Sequence, residues 1–149
     1  MTTLTLSLCN TILNAALLEA KSKGYRPMTV VVLDTGGYPV ALQRQDGASM
    51  FRADIATGKA WAAVAMGVDS AALMPRAAGN PAFFGALANA GQGKFIPQIG
   101  AVLVKDAEGR VLGAVGASGG TGEQDEAICI QGVRAAGLYA GTPAAQAQS

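Results

Sequence analysis

The chain has 149 residues, of which 50% are hydrophobic and 14% charged, and its formal net charge is +1; this length and balance are typical of one globular domain with its own core. Lysine and arginine are scattered singly and aromatic residues are few, which argues against a nucleic-acid-binding surface, and no apolar stretch is long enough to span a bilayer. The absence of histidine excludes Ser-His-Asp and Cys-His nucleophiles and the usual zinc sites.

The first predicted element is an amphipathic helix. Apolar residues recur at helical spacing from Leu4 to Lys23, which gives this helix one apolar face. Gly24 is the expected stop, and Pro27 lies just beyond it. The chain is therefore expected to turn there and enter a different element.

A β-hairpin is predicted next. Met28 to Leu33 contains three consecutive valines, a composition typical of a buried strand. Asp34-Thr35-Gly36-Gly37 predicts a turn, because aspartate accepts hydrogen bonds from nearby backbone and glycine supplies positive φ. The second strand is expected from Tyr38 to Arg44. Its apolar residues are expected to share one face: Tyr38, Val40 and Leu42.

A long helix is predicted from about Met50 to Met66, with Ser49 as its N-cap. Lys59 falls within the otherwise apolar stripe of this helix. A buried ammonium needs a carboxylate partner or a bound anion to remain charged, which makes Lys59 a candidate ligand contact. The structural alternative is a lysine whose stem crosses apolar surface while its head reaches water.

The middle of the chain is the least regular part. Asp69 to Met74 predicts a short helix ended by Pro75, and Asn80-Pro81 predicts the start of another. Phe83 and Phe84 lie in this second helix. They either form a wall for a flat apolar ligand or fill the core.

A second hairpin, a glycine-rich turn and a final helix are predicted between Gly100 and about Tyr139. Ser118-Gly119-Gly120-Thr121 forms the turn, and Thr121 with Gln124 three residues later matches a capping box. The free N–H groups at such a helix start attract anions, although small residues there also permit close packing. Glu123 and Asp125 follow in the first helical turn. They could transfer protons, or they could simply complement the positive end of the helix.

These elements predict an α+β fold in which helices flank an antiparallel sheet of about four or five strands. One domain is expected over residues 1–141, and residues 142–149 are expected to form a disordered tail. Cys9 and Cys129 lie far apart in predicted helices. Buried thiols are therefore expected rather than a disulfide.

The assembled motifs resemble the GlcG/HbpS-like family, also called the haem-degrading domain family. The resemblance covers nearly the whole chain and is carried by four segments: Val31–Gly37, Arg44–Gly47, Gly58–Ala60 and Gly113–Glu126. It implies a profilin-like antiparallel sheet, assembly as a dimer or higher oligomer, and haem-linked or corrinoid-linked roles in some members. Because one fold supports many functions, the resemblance implies the fold more firmly than the activity.

The sequence also departs from this family pattern. Many relatives have a Gly-Gly-x-Pro segment before the second hairpin, where this chain has Gly93-Lys94-Phe95-Ile96-Pro97. No histidine is available to ligate haem iron. The remaining candidate iron ligands are tyrosine, methionine, cysteine, lysine or a hydroxyl group, and haem is one candidate cofactor rather than an established one.

Two functions of different classes follow. The first is a protein that binds haem or another carboxylated ligand near the glycine-rich turn. Its predicted ligand-binding residues are Asp34, Arg44, Phe83, Phe84, Ser118, Gly119, Gly120 and Thr121. The second is a small cofactor-independent tautomerase, isomerase or lyase acting on a carboxylated catabolic intermediate. Its predicted catalytic residues are Lys59, Glu123 and Asp125, and neither hypothesis includes a metal site.

The expected partners are a small anionic ligand and further copies of the chain. Low charge, with 20 glycines and many alanines, leaves few polar residues to cover the surface of a monomer, which favours a homo-oligomer. No charged segment typical of a signal peptide precedes Lys21. The expected location is therefore the cytoplasm, without nucleic-acid or membrane partners.

Overall fold

A computed structural model describes residues 2–141 of the chain. These residues form five helices and four strands, which confirms the expected α+β class. In chain order the elements are α1 (Leu6–Ser22), β1 (Thr29–Asp34), β2 (Pro39–Arg44), α2 (Met50–Met66), α3 (Ser70–Gly79), α4 (Pro81–Ala90), β3 (Ala101–Lys105), β4 (Val111–Ser118) and α5 (Gly122–Ala135). The predicted tail, residues 142–149, lies outside the described residues.

The strands form one antiparallel sheet in the order β2-β1-β4-β3. Helices cover both faces of its centre, so β1 is buried from Thr29 to Leu33. Val30 and Val32 pack in a core with residues of α1 and α5. Val31, on the opposite face, packs with alanines of α2. Each fully buried aliphatic side chain of this kind stabilises the fold by about 1.5–3 kcal/mol.

Small residues allow α2 to lie close to the sheet. Ala56 and Ala60 face β4 at Gly116, where a Cβ atom would stand 3.0 Å from the Cβ of Ala60 and would also meet the backbone oxygen of Ala56. Larger side chains would separate the helix from the sheet. The close approach holds Lys59, also on α2, near the C-terminal end of β4.

The two hairpins use the same turn chemistry. Asp34 Oδ1 accepts hydrogen bonds from the N–H groups of Gly36 and Tyr38, at 2.9 and 3.0 Å. Asp106 Oδ1 accepts them from Glu108 and Arg110, at 3.0 and 2.9 Å. The glycine that ends each turn has a φ of 83°. Aspartate and glycine therefore have the roles expected for these turns.

The prediction that Tyr38, Val40 and Leu42 share one face is wrong for Val40 and Leu42. The register of β1 and β2 shifts between Val32 and Leu33, where β2 carries an additional residue. Val40 consequently packs on the core beside α1, whereas Leu42 pairs with Val31, whose side chain is on the α2 side. A β-bulge of this kind reverses the alternation that an unbroken strand would show.

Two helix ends also differ from the predictions. Helix α3 continues through Pro75 to Gly79, because burial of Leu73 against Phe84 and Phe95 offsets the hydrogen bond that proline cannot make. Helix α5 ends at Ala135 rather than near Tyr139. Tyr139 instead pairs with the backbone of Lys105, with both N–H···O distances at 2.9 Å.

The outer edge of β3 is covered by the start of α3. Asp69 Oδ1 accepts a hydrogen bond from the N–H of Leu103 at 2.9 Å, and Ser70 Oγ accepts one from the N–H of Ala101 at the same distance. These contacts satisfy backbone donors that an edge strand would otherwise expose. Within residues 2–141, no helix combines the length and the apolar composition that crossing a membrane requires.

Candidate functional site

Lys59 of α2 and Asp125 of α5 form a buried ion pair. Lys59 Nζ lies 3.0 Å from Asp125 Oδ2 and donates to the backbone oxygen of Ala117 at 3.1 Å. The two side chains are only 8% and 3% exposed. A Cβ at Gly100 would lie 2.6 Å from Lys59 Nζ, so the ammonium occupies space that only glycine leaves free. Lys59 thus has the carboxylate partner that its burial requires.

The backbone N–H groups at the start of α5 are capped by side chains of the same helix and its N-cap residue. The second oxygen of Asp125, Oδ1, accepts a hydrogen bond from the N–H of Gly120 at 2.9 Å. Thr121 and Gln124 form the predicted capping box, each accepting from the other's backbone N–H at 3.1 Å. These contacts occupy N–H groups that were expected to attract an anion.

Glu123, the third predicted catalytic residue, is exposed in the first turn of α5. Burial raises the pKa of its neighbour Glu126, and the charges of Asp69 and Glu123 raise that pKa further. Proton transfer by Lys59, Glu123 and Asp125 stays a prediction. The structure brings Lys59 and Asp125 together as each other's partners and leaves Glu123 at the surface.

Arg44 and Ser118 belong to one row of residues across the sheet. Thr29 pairs with Arg44 on one side and with Ser118 on the other, and directly paired residues of antiparallel strands share a face. Arg52, at the start of α2, donates from Nη1 to Ser118 Oγ at 3.3 Å. The Thr29 hydroxyl is buried and has no hydrogen-bond partner among the described residues. Thr29 and Arg52 were not predicted, because only strand register and helix docking reveal this row.

The remaining predicted ligand contacts lie elsewhere. Asp34 is at the β1–β2 turn, and its Oδ1 is used by that turn. Phe84 is buried in a separate cluster, where its ring centre is 6.0 Å from that of Phe95. Phe83 is 52% exposed and contacts Phe84 edge to face at 5.9 Å. The structure therefore does not bring Asp34 or the two phenylalanines to the Lys59–Asp125 pair.

Arg44 also lines a cavity of about 720 Å³ between the end of α1 and the end of β2. Its walls include Leu17, Lys21, Tyr25, Pro27, Arg44 and Asp46. Gln45, another lining residue, accepts the N–H of Met28 through Oε1 at 2.8 Å and so ties the two chain segments together. This volume is within the range of small-molecule sites.

The end of α1 places Tyr25 in this cavity. Gly24 has a φ of 69°, and the N–H of Tyr25 donates to Ala20 O at 3.0 Å, while the N–H of Gly24 donates to Lys21 O at 3.1 Å. These two bonds define a Schellman motif. The ring of Tyr25 packs on the core below α1 and also lines a second cavity, of about 360 Å³. Two sequence predictions pointed to this place: the helix stop at Gly24 and the ligand-binding role of Arg44.

The packing of the glycine-rich turn links it to the cavity. A Cβ at Gly119 would meet the backbone oxygen of Pro27 and would stand 2.9 Å from the Cα of Met28. The turn therefore supports the segment whose proline lines the cavity. Within residues 2–141, no group of three or more histidine, cysteine, aspartate or glutamate side chains is placed to hold a metal ion.

The chain matches a protein-family model. A family model described as haem-degrading protein HbpS-like matches residues 4–134. This range contains every predicted site residue. A search of curated proteins gives no significant match.

Three solved structures are similar to the chain over most of its length. A PduOC:haem complex is 28% identical, with a TM-score of 0.82, and the alignment covers 95% of this chain and 99% of PduOC. Protein ORFY of Klebsiella pneumoniae is 27% identical, with a TM-score of 0.82 and 92% of both chains covered. A double mutant of HbpS from Streptomyces reticuli is 27% identical, with a TM-score of 0.77, over 90% of this chain and 87% of HbpS.

Proposed function

Because this chain belongs to the HbpS-like family of haem-degrading proteins, we propose that it binds a small planar ligand that carries carboxylates, with haem as the first candidate. The likeness to PduOC, solved as a haem complex, supports this ligand class because it extends over 95% of the chain at 28% identity. The family and this relative suggest the ligand, and the chain's own residues suggest where it binds.

The observation that carries the proposal is the cavity at the ends of α1 and β2, which has about 720 Å³ of space. Lys21 and Arg44 line it, and within the described part of the chain neither cation is paired with a carboxylate. Asp46 is also in the lining. Two cations against one carboxylate leave an excess positive charge, which favours an anionic ligand.

The lining of this cavity combines apolar and polar residues, and its polar side chains are Lys21, Gln43, Arg44, Gln45 and Asp46. Haem presents apolar faces, two carboxylates and an iron atom that takes a protein ligand. Leu17 and Pro27 supply apolar walls, and Lys21 and Arg44 supply positive charge for the carboxylates. Arg44 also donates from Nη1 to Ala48 O at 3.1 Å. When bound, haem would contribute its redox-active iron, while the residues of the chain orient it and shield one side from water.

The predicted glycine-rich turn acts in this proposal as a support for the cavity. Gly119 packs against Pro27 and Met28, and the Lys59–Asp125 pair holds the turn through Gly120 and Ala117. Lys59 and Asp125 are thus positioning residues. Of the predicted ligand-binding residues, Arg44 is the one that lines the cavity.

Titration with haemin tests the proposal. We expect a saturable Soret shift with one haemin per chain. The variants Lys21→Glu and Arg44→Glu should each weaken binding by about three- to tenfold, equivalent to about 0.7–1.4 kcal/mol, and more strongly at low salt. Lys94→Glu is the matched control, because Lys94 is an exposed lysine outside the cavity. No saturable shift at stoichiometric haemin would contradict the proposal.

A further inference from the structure

We propose that the start of α2 and the end of the sheet beneath it form a second binding site, which takes the carboxylate group of a small organic acid. The residues of this site are Arg52, Ser118 and Thr29, together with the first backbone N–H groups of α2. None of these three residues lines the cavity between α1 and β2. The proposal therefore does not rest on the binding of haem there.

The hydroxyl of Thr29 is a buried donor that lacks an acceptor. Thr29 is 0% exposed, and within residues 2–141 its Oγ1 has no hydrogen-bond partner. Val31, two residues later in β1, packs against α2, and alternate residues of a strand share a face. The side chain of Thr29 is thus directed towards α2, between its strand partners Arg44 and Ser118. Because buried hydroxyls are nearly always paired, an acceptor from outside the chain is expected at this place.

Arg52 has donors to spare beside this hydroxyl. Its Nη1 donates to Ser118 Oγ at 3.3 Å, and the residue is half-buried. Among the described residues, no carboxylate forms an ion pair with Arg52. A guanidinium has five N–H donors in a planar fork, which can hold a carboxylate through two parallel hydrogen bonds. Arg52 can therefore keep its contact with Ser118 and still bind an anion.

The first turn of α2 adds free backbone donors. Ser49 is the N-cap residue, but its side chain makes no capping hydrogen bond. In the part of the chain that the structure describes, the N–H groups of Met50 and Phe51 also have no acceptor. The first turn contains no acidic residue, in contrast to α5 with its capping box. The positive end of α2 is thus left without a negative partner, which favours an anion.

The charges around the row formed by Arg44, Thr29 and Ser118 favour a carboxylate over a phosphate. Lys59 is balanced by Asp125, and Arg44 is exposed to water. The half-buried charge that needs a counter-ion is therefore that of Arg52, and a monovalent carboxylate balances it. A phosphate dianion would bring a second negative charge into a partly buried place, where an unbalanced charge is costly.

An NMR titration with sodium acetate tests this site. In haem-free protein at constant ionic strength, acetate should move the amide signals of Met50 and Phe51 along saturable curves. Arg52→Gln should weaken acetate binding about tenfold, because it removes a charged donor. Arg76→Gln is the matched control, since Arg76 is an exposed arginine of α3. It should leave acetate binding unchanged.

The variant Thr29→Val separates a binding role from a structural one. Valine keeps the branched shape of the side chain and removes the hydroxyl. We expect it to weaken acetate binding about threefold, because one donor to the ligand is lost. Without acetate, it should unfold at the same temperature as wild type or a higher one, since it removes a buried donor that has no acceptor. Lower stability with unchanged acetate binding would contradict the proposal.

The variant Arg52→Lys covers the case in which Arg52→Gln does not fold. Lysine keeps the charge but loses the planar fork, so its acetate affinity should lie between those of wild type and Arg52→Gln. Shifts that do not saturate in wild type, or binding that is unchanged in the Arg52 variants, would overturn the site. Saturation by phosphate but not by acetate would overturn the carboxylate class. A protein that binds haemin but no acetate would lose this site and keep the proposed function.

Discussion

Lys59 shows how a single buried charge organises the residues around it. Its ammonium contacts Asp125 and the backbone of Ala117, and Asp125 in turn holds Gly120. The pair thereby connects α2, β4 and α5. A buried ion pair contributes little net stability, because desolvation cancels most of the attraction, but one partner left alone is costly.

Breaking this pair from either side should destabilise the protein. We expect Lys59→Met and Asp125→Leu each to lower the free energy of unfolding by about 3–5 kcal/mol, because each leaves an unpaired buried charge. The double variant should lose clearly less than the sum of the two single variants. Urea denaturation measures all three, and additive losses would contradict the coupling.

The contribution of Glu126 to the stability of the fold should depend on pH in the opposite sense to that of a salt-bridged carboxylate. Burial, Asp69 and Glu123 raise its pKa, so the folded state binds more protons than the unfolded state between the two pKa values. Stability from this group is therefore present below the unfolded pKa and falls as pH rises through the folded pKa.

The variant Glu126→Gln should consequently be more stable than wild type at pH 7, by on the order of 0.5 kcal/mol, since the group is partly exposed. The gain should disappear below about pH 4, where the wild-type carboxyl is protonated in both states. Thermal unfolding at several pH values measures this difference. A gain that does not depend on pH would show that charge is not its cause.

At the scale of elements, close packing depends on where helices carry glycine. Gly132 of α5 faces α1, and a Cβ there would lie 3.1 Å from Ile12 Cγ2 and 3.2 Å from Ala16 Cβ. Gly85 of α4 has no such neighbour within 4 Å. The same residue type therefore has a packing role in one helix and none in the other.

Alanine substitution should separate these two cases. Gly132→Ala should destabilise the protein by about 1–3 kcal/mol, because α1 must shift to admit the methyl group. Gly85→Ala should stabilise it by about 0.5–1 kcal/mol, because alanine loses less backbone entropy in a helix. Chemical denaturation measures both, and equal effects would contradict a packing role for Gly132.

At the scale of the whole molecule, several large apolar side chains remain at the surface. Met50, Phe51 and Tyr38 are 81%, 63% and 72% exposed. Scattered apolar residues are common on monomers, but here they accompany the low charge of the chain, at 14% charged residues. Together they keep the prediction of a homo-oligomer in place.

Light scattering coupled to size exclusion tests that prediction. At tens of micromolar protein, we expect a mass that is a multiple of the 14.9 kDa of one chain. The Phe51→Ser variant is expected to lower that mass or raise the concentration at which it forms. A mass of 14.9 kDa at every concentration would contradict self-association.

Much of the fold could be predicted because its signals are local. The turns at Asp34 and Asp106, the capping box at Thr121 and the start of α4 after Asn80 each depend on a few adjacent residues. The segment bounded by Met50 and Met66 was predicted at its observed limits. Errors arose at Pro75 and Val40, where buried contacts or strand register overrode local preference.

The site was only partly predictable, because its members are distant in sequence. Lys59 was expected to need a carboxylate, and Asp125 was selected as an acid in α5, but a local pattern cannot pair residues 66 positions apart. Tyr25 is set in its cavity by the joint placement of α1 and β2. The sequence by itself thus determined the elements, the turns and the family, since these depend on neighbouring residues. Only the tertiary structure decided which charges are paired and which side chains share a cavity, because burial and proximity arise from packing between distant segments.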